Sequence, residues 1–187
     1  MIPLLPWLVP TYHKLTLAFD EALGHHALLI RADDGLGAEQ LCSAVAKRLM
    51  CLTPKGAKAC GECHACHLMQ ANSHPDFQHI APIENKDIGV DQIRAMNEQA
   101  TQHAQQNGNK VIYIEQAHRL TEAAANAILK TLEEPRPNTY SFCSVICKKR
   151  CCRPFTVAAK CGTSYHRTQT RHYSGCNHKR PLKPPIY

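Results

Sequence analysis

An α/β fold, a parallel sheet flanked by helices, is the architecture this chain predicts, and three observations predict it. Short runs of strand length recur, apolar at residues 27–30 and 111–114 and of mixed polarity at 77–80. Stretches with helical periodicity lie between them. Strands alternating with helices build parallel sheets covered on both faces, so each strand is expected to be buried.

Taken in order, the elements begin with a helix around residues 14–23 and the strand Ala27-Leu28-Leu29-Ile30. A helix over 38–49 follows, with Cys42 inside its pattern as a small buried thiol. Next come a cysteine-rich module, the short strand at 77–80, a helix over 90–102 and the strand at 111–114. The last clear helix covers 122–134. Thr121 supplies its N-cap oxygen and Pro135 stops it. Its apolar positions are expected to face the core.

Between the first strand and its helix lies Arg31-Ala32-Asp33-Asp34-Gly35-Leu36-Gly37-Ala38-Glu39, a strand, glycine loop, helix arrangement. A working phosphate loop cradles phosphates with backbone N–H groups, sets a Lys on the β/γ-phosphates and holds Mg²⁺ with a Ser or Thr hydroxyl. Those two positions are Ala38 and Glu39 here. Asp33, Asp34 and Glu39 add negative charge where a polyphosphate would sit, which opposes binding. No productive ATP binding is expected. Two glycines alone would equally fit an ordinary strand-to-helix turn using Gly35 and Gly37 for tight backbone geometry.

A second segment separates those readings. Lys110-Val111-Ile112-Tyr113-Ile114-Glu115-Gln116-Ala117 has the form of a central strand whose tip would hold Mg²⁺ and activate water. An active ATPase of this class needs Asp then Glu at that tip. Glu115 and Gln116 stand there instead, so the metal-side carboxylate is lengthened and the base is an uncharged amide. Both catalytic elements are degraded together, and no catalytic residue is assigned.

The strongest chemical signal is Cys51 followed, after eight residues, by Cys60-Gly61-Glu62-Cys63-His64-Ala65-Cys66. Cys-x-x-Cys spacings let thiolates converge on one tetrahedral ion at Zn–S distances of about 2.3 Å, and the loop from Cys51 is long enough to bring in a fourth. One structural Zn²⁺ on Cys51, Cys60, Cys63 and Cys66 is the economical reading. A redox-active pair would need one low-pKa thiol beside a helix start, which three cysteines at overlapping spacings fit poorly. Disulfides are disfavoured because nothing points to export. His64 and His67 are close enough to replace a Cys, although the spacing does not require them.

Charge divides the chain in two. Residues 1–140 hold 12 Lys and Arg against 15 Asp and Glu, a net of −3, whereas 141–187 hold 10 against none, so the formal +7 comes from the tail. The tail also holds six of the eleven cysteines and no sustained periodicity after Cys147. The spacing of Cys147, Cys151, Cys152, Cys161 and Cys176 matches no zinc module. The apolar start, Met1 to Leu8, lacks the basic flank and long core of a signal peptide, and no stretch reaches membrane-spanning length. A soluble, cytoplasmic protein is expected.

The order Gly-His-His-Ala-Leu-Leu-Ile, the eroded loop, the four-cysteine module, His74-Pro75-Asp76, and the run from Thr121 through Leu129-Lys130-Thr131-Leu132-Glu133-Glu134 to Pro135 closely resembles the delta-prime subunit family of the bacterial DNA polymerase III clamp loader. The resemblance covers about residues 1–140. It implies an AAA+ domain with an inserted zinc module and no ATPase or polymerase activity of its own. Members act as a rigid partner in a ring with gamma/tau and delta subunits, helping to open the sliding clamp and place it on primed DNA.

After Asn138-Thr139-Tyr140 the chain departs from that family. The expected hydrophobic strand, the helix and a Ser-Arg-Cys motif whose Arg reaches a neighbouring subunit's ATP are absent, as are the lid and collar domains. Reading the coding bases so that each codon takes the third base of one residue and the first two of the next, residues Phe142 to Arg167 allow LLRYLQKALLPPVYSRCKVWHIVPP. In that frame Val157, Ala158 and Ala159 supply the fixed bases of Ser-Arg-Cys. The expectation is a frameshift near Tyr140 or Ser141, an incomplete AAA+ core over 1–140, and an irregular, disordered tail over 141–187. The alternative is a zinc-dependent nucleic-acid-binding protein that uses the basic tail.

Overall fold

The computed structural model describes residues 4–146, apart from 85, 103 and 107, together with the backbone of 155–159. Five strands form its sheet: β1 (Ala27–Ala32), β2 (Phe77–Ile80), β3 (Lys110–Ile114), β4 (Thr139–Ile146) and β5 (Phe155–Ala159). Their order is β2-β3-β4-β1-β5. The pairs β2/β3, β3/β4 and β4/β1 are parallel, as expected, while β5 lies antiparallel on β1. All four parallel strands therefore end on one edge of the sheet.

The helices are α1 (Val9–Asp20), α2 (Ala38–Met50), α3 (His64–Gln70), α4 (Val90–Thr101) and α5 (Glu122–Glu133). Alternation along the strands builds two cores from one sheet. Leu28, Ile30, Val111, Tyr113 and Phe142 face Leu8, Leu41, Val45 and Met69 on one side. Ala27, Ile112, Ile114 and Cys143 face Ile93, Met96, Ile128 and Leu132 on the other. On α5 the buried residues are Ala124, Ile128 and Leu132, one per turn, so the apolar face of this helix is core. Its start is held as the sequence predicts, with the Thr121 side chain accepting the Ala124 N–H at 3.3 Å.

Three boundaries differ from expectation. The first helix starts at Val9, five residues before 14, because Pro10 sits in the first turn, where a missing N–H costs no helical bond. The cysteine module contains a helix of its own, α3, too short to carry periodicity. The largest correction concerns the tail, since β4 continues through Ile146 and is hydrogen-bonded on both sides.

Residues 141–146 therefore do not begin an irregular segment. Phe142 is 1% exposed and Cys143 2%. The reason is compositional: Ser-Phe-Cys-Ser-Val-Ile contains no charge, and the first cation comes only at Lys148. The Ser144 hydroxyl, buried in the sheet, meets the Tyr113 hydroxyl at 3.1 Å, so its burial leaves no unpaired group. A further strand, β5, spans five residues of the segment expected to be irregular. Residues 147–154 and 160–187, which include Cys147, Cys151, Cys152, Cys161 and Cys176, lie outside the described residues.

Candidate functional site

The four predicted cysteines come together. Cys51 follows the last residue of α2 with an extended backbone, Cys63 is the N-cap residue of α3, and Cys66 lies one turn further into that helix. Between them the chain doubles back through a Lys55/Lys58 bridge and returns Cys60 to the same place. The Sγ atoms of Cys51 and Cys63 are 4.0 Å apart, and those of Cys60 and Cys66 are 3.8 Å apart. All four lie within 4.8 Å of one another.

Those separations decide between the candidate chemistries. A disulfide holds its sulfurs at about 2.0 Å, and these cysteines are free. Four thiolates around Zn²⁺ at about 2.3 Å would be spaced by roughly 3.8 Å, the edge of the tetrahedron. The donor set therefore fits a tetrahedral thiophilic ion. Among the described residues this is the one group of three or more His, Cys, Asp or Glu donors close enough together to hold an ion, and neither His64 nor His67 belongs to it.

Backbone N–H groups already point at the sulfurs. Cys60 N–H donates to Cys51 Sγ at 3.2 Å, and the N–H groups of Glu62 and Cys63 donate to Cys60 Sγ at 3.4 and 3.3 Å. Such donors stabilise negative charge on sulfur, and they orient the ligands before any ion arrives. The Thr53 side chain, then those two amides, draw the Cys60 thiol down to about 5. Burial pushes the Cys51 thiol up and the Cys66 thiol up to about 12. Burial also opposes ionisation of Cys63, but donors led by the Cys66 and Leu52 backbone outweigh it and lower its pKa. Binding of a metal ion by these sulfurs would release the protons that burial holds on Cys51 and Cys66.

The glycine loop keeps its backbone form. Gly35 has φ +77° and Gly37 +83°, both left-handed, and Leu36 N–H closes a turn on the Asp33 carbonyl at 3.3 Å. Gly37 is the N-cap residue of α2, with Ala38 first and Glu39 exposed in the first turn. No ammonium and no hydroxyl occupy the two positions that would serve a nucleotide. The buried oxygens Asp33 Oδ1 and Gln40 Oε1 have no hydrogen-bond partner.

At the same sheet edge Glu115 closes β3 and receives His79 Nε2 at 3.0 Å, while the His79 ring stacks on Tyr113. Gln116 adopts φ +50°, unusual for a residue with a Cβ, and its N–H donates to Ser144 Oγ at 3.2 Å. Burial pushes the Cys42 thiol up, and burial first, then the neighbouring Cys42, pushes the Tyr113 phenol up. Sequence reasoning missed His79 and Ser144. His79 had the signal of a polar residue in a short strand, whereas Ser144 stood in a segment taken as irregular.

The fold resembles that of a DNA polymerase III gamma subunit-related protein from Thermotoga maritima, with a TM-score of 0.52 and 19% identity over 72% of this chain and 39% of the other. The class defined is thus a mixed α/β protein that shares the fold of that structure. Residues 10–154 match the family described as DNA polymerase III, delta subunit, and the chain belongs to that family. Its curated relatives include the DNA polymerase III subunit delta' of Haemophilus influenzae, 64% identical over 140 residues. That of Escherichia coli K12 is 46% identical over 138 residues, and that of Bacillus subtilis 32% over 114. The aligned parts cover 75%, 73% and 61% of this chain but only 42%, 41% and 34% of the relatives, so the chain spans about two fifths of their length or less.

Proposed function

We propose that the chain is a non-catalytic clamp-loader subunit of the delta-prime kind, supporting the loading of a sliding clamp onto primed DNA during replication. In this reading the sheet and its helices are an incomplete AAA+ core, and Cys51, Cys60, Cys63 and Cys66 hold a structural Zn²⁺. The glycine loop binds no ATP, and the work is done in the cytoplasm with gamma/tau and delta subunits. No described helix is long and apolar enough to cross a membrane.

The observation that carries the reading is a nucleotide-loop backbone, intact at Gly35 and Gly37, on which Ala38 and Glu39 replace the chemistry. A fold retained without its reaction is what a rigid partner in a ring needs. Reconstitution tests it: the chain is mixed with gamma/tau and delta subunits, and complex formation and clamp loading on primed DNA are followed. Co-elution with gamma/tau supports the reading, and so does the lack of phosphate release by the chain alone. ATP hydrolysis by the purified chain, abolished by Glu115→Gln, would replace it with a hydrolase.

We further propose that the residues from about 141 onward are read in a displaced frame. The shifted reading supports this by restoring a leucine-rich stretch, Ser-Arg-Cys and Pro-Pro in family order. The continuation of β4 to Ile146 is compatible with it, because the displaced residues are by chance uncharged and small enough for a central strand. Resequencing the coding DNA tests it. An open shifted frame carrying Ser-Arg-Cys and a long helical region would support the proposal, and a downstream region without either would sink it.

A further inference from the structure

The glycine loop is closed by more than its lost side chains. A 3-10 turn over Pro6–Leu8 lies against it, fastened by Leu8 N–H on the Leu5 carbonyl at 2.9 Å. The indole Nε1–H of Trp7 donates to the Leu36 carbonyl at 3.1 Å, inside the loop itself. Leu5 and Leu8 press on Gly37 so closely that a Cβ there would lie 2.9 Å from Leu5 Cδ1 and 3.1 Å from Leu8 Cδ1. Leu8 is 1% exposed and anchors this segment in the core that α2 shares with β1.

The geometry points to residues 5–8 as a strap that closes the glycine loop, a barrier to nucleotide independent of the missing lysine and hydroxyl. Gly37 gives α2 no side-chain cap, and the first bond inside the helix is Leu41 N–H to the Gly37 carbonyl at 3.0 Å. The N–H groups of the first turn therefore remain as donors, the remnant of an anion site. Leu5 and Leu8 lie against Gly37 at the head of that turn, and the Trp7 indole ties the strap to Leu36 beside it, so the strap offers a phosphate or a nucleoside no donor beyond one N–H already engaged. Restoring the polar side chains would leave this apolar cover in place.

The strap rests on the reading of the loop as nucleotide-free, and the test separates the two. ATP binding with Mg²⁺ is measured by equilibrium dialysis on the full chain, on A38K/E39T, and on A38K/E39T/L5A/W7A. Leu8 is left untouched to preserve the core. The unmodified chain is expected to bind no ATP, and the fourfold variant to bind at least about tenfold more tightly than A38K/E39T.

Equal affinity in the two variants, whether both bind or neither does, overturns the strap; it leaves the nucleotide-free reading standing as long as the unmodified chain binds none. ATP binding by the unmodified chain overturns both. If the fourfold variant does not fold, A38K/E39T/L5A decides in its place. It retains Trp7, the single tryptophan of the chain, whose emission reports the strap. ATP is then expected to bind and to shift that emission, and no difference from A38K/E39T overturns the proposal.

Discussion

The cysteine module and the glycine loop sit at opposite ends of the same helix, α2, and they have kept opposite things. At the C-terminal end, Cys51 and its three partners retain a complete donor set with amides aimed at the sulfurs. At the N-terminal end, Gly35 and Gly37 hold left-handed backbone with Ala38 and Glu39 after them, Leu5 and Leu8 lie against Gly37, and Trp7 donates to the Leu36 carbonyl. A site built from side-chain ligands loses its chemistry when one ligand goes. A site built from backbone amides can lose its chemistry and keep its shape, because the turn still connects β1 to α2.

The contrast is broken most decisively at the cysteines. Structural zinc contributes on the order of 10 kcal/mol of binding free energy in small modules. Cys63→Ser or Cys66→Ser is therefore expected to reduce bound metal, measured by atomic absorption, from about one ion per chain to near none. Retention of stoichiometric zinc by either variant would show that the sulfurs are not a tetrahedral set. Metal affinity is also expected to fall as pH falls, because the thiol of Cys66, pushed up to about 12, must lose its proton to bind.

Next in size is the core that both ends of α2 share. Phe142→Ala removes a fully buried ring from the central strand and is expected to cost about 3–5 kcal/mol in urea unfolding. A cost under about 1 kcal/mol would mean that β4 is not seated in the sheet. Thr121→Ala removes the one oxygen that caps α5 and is expected to cost about 1 kcal/mol without changing zinc content.

The smallest effect is a pH dependence at His74. Burial holds its pKa below the ordinary 6.5, and its Nδ1 accepts the Asp76 N–H at 3.1 Å, which requires a neutral ring. The unfolded chain takes up a proton first. Its stabilising contribution is therefore full above about pH 6.5 and declines as pH falls toward the folded value. His74→Gln should flatten the melting temperature across that window, and an unchanged slope would place the dependence elsewhere.

Much of this was legible before any coordinates. Strand 77–80 and the start of α2 at Ala38 match the sequence reading residue for residue, the latter because a glycine loop marks it locally. The four clustered cysteines were legible for a similar reason, since the spacing that lets thiolates converge is itself a local pattern. The start of α1 was misplaced because Pro10 looks like a breaker and acts as a first-turn residue. The strand beyond Tyr140 was missed because it is judged locally by thiols and serines, whereas its place is decided by the partners on either side.

What the sequence by itself determined is the class of fold, the four cysteines that cluster and the absence of a lysine and hydroxyl at the glycine loop, all properties of residue type and short spacing. Only the tertiary structure decided that Ser144 answers Tyr113 across two strands, that β4 runs to Ile146, and that Trp7 reaches Leu36. Trp7 and Leu36 are 29 positions apart in the chain. Such contacts are set by packing two layers on one sheet, where burial selects the partner and no local pattern names it.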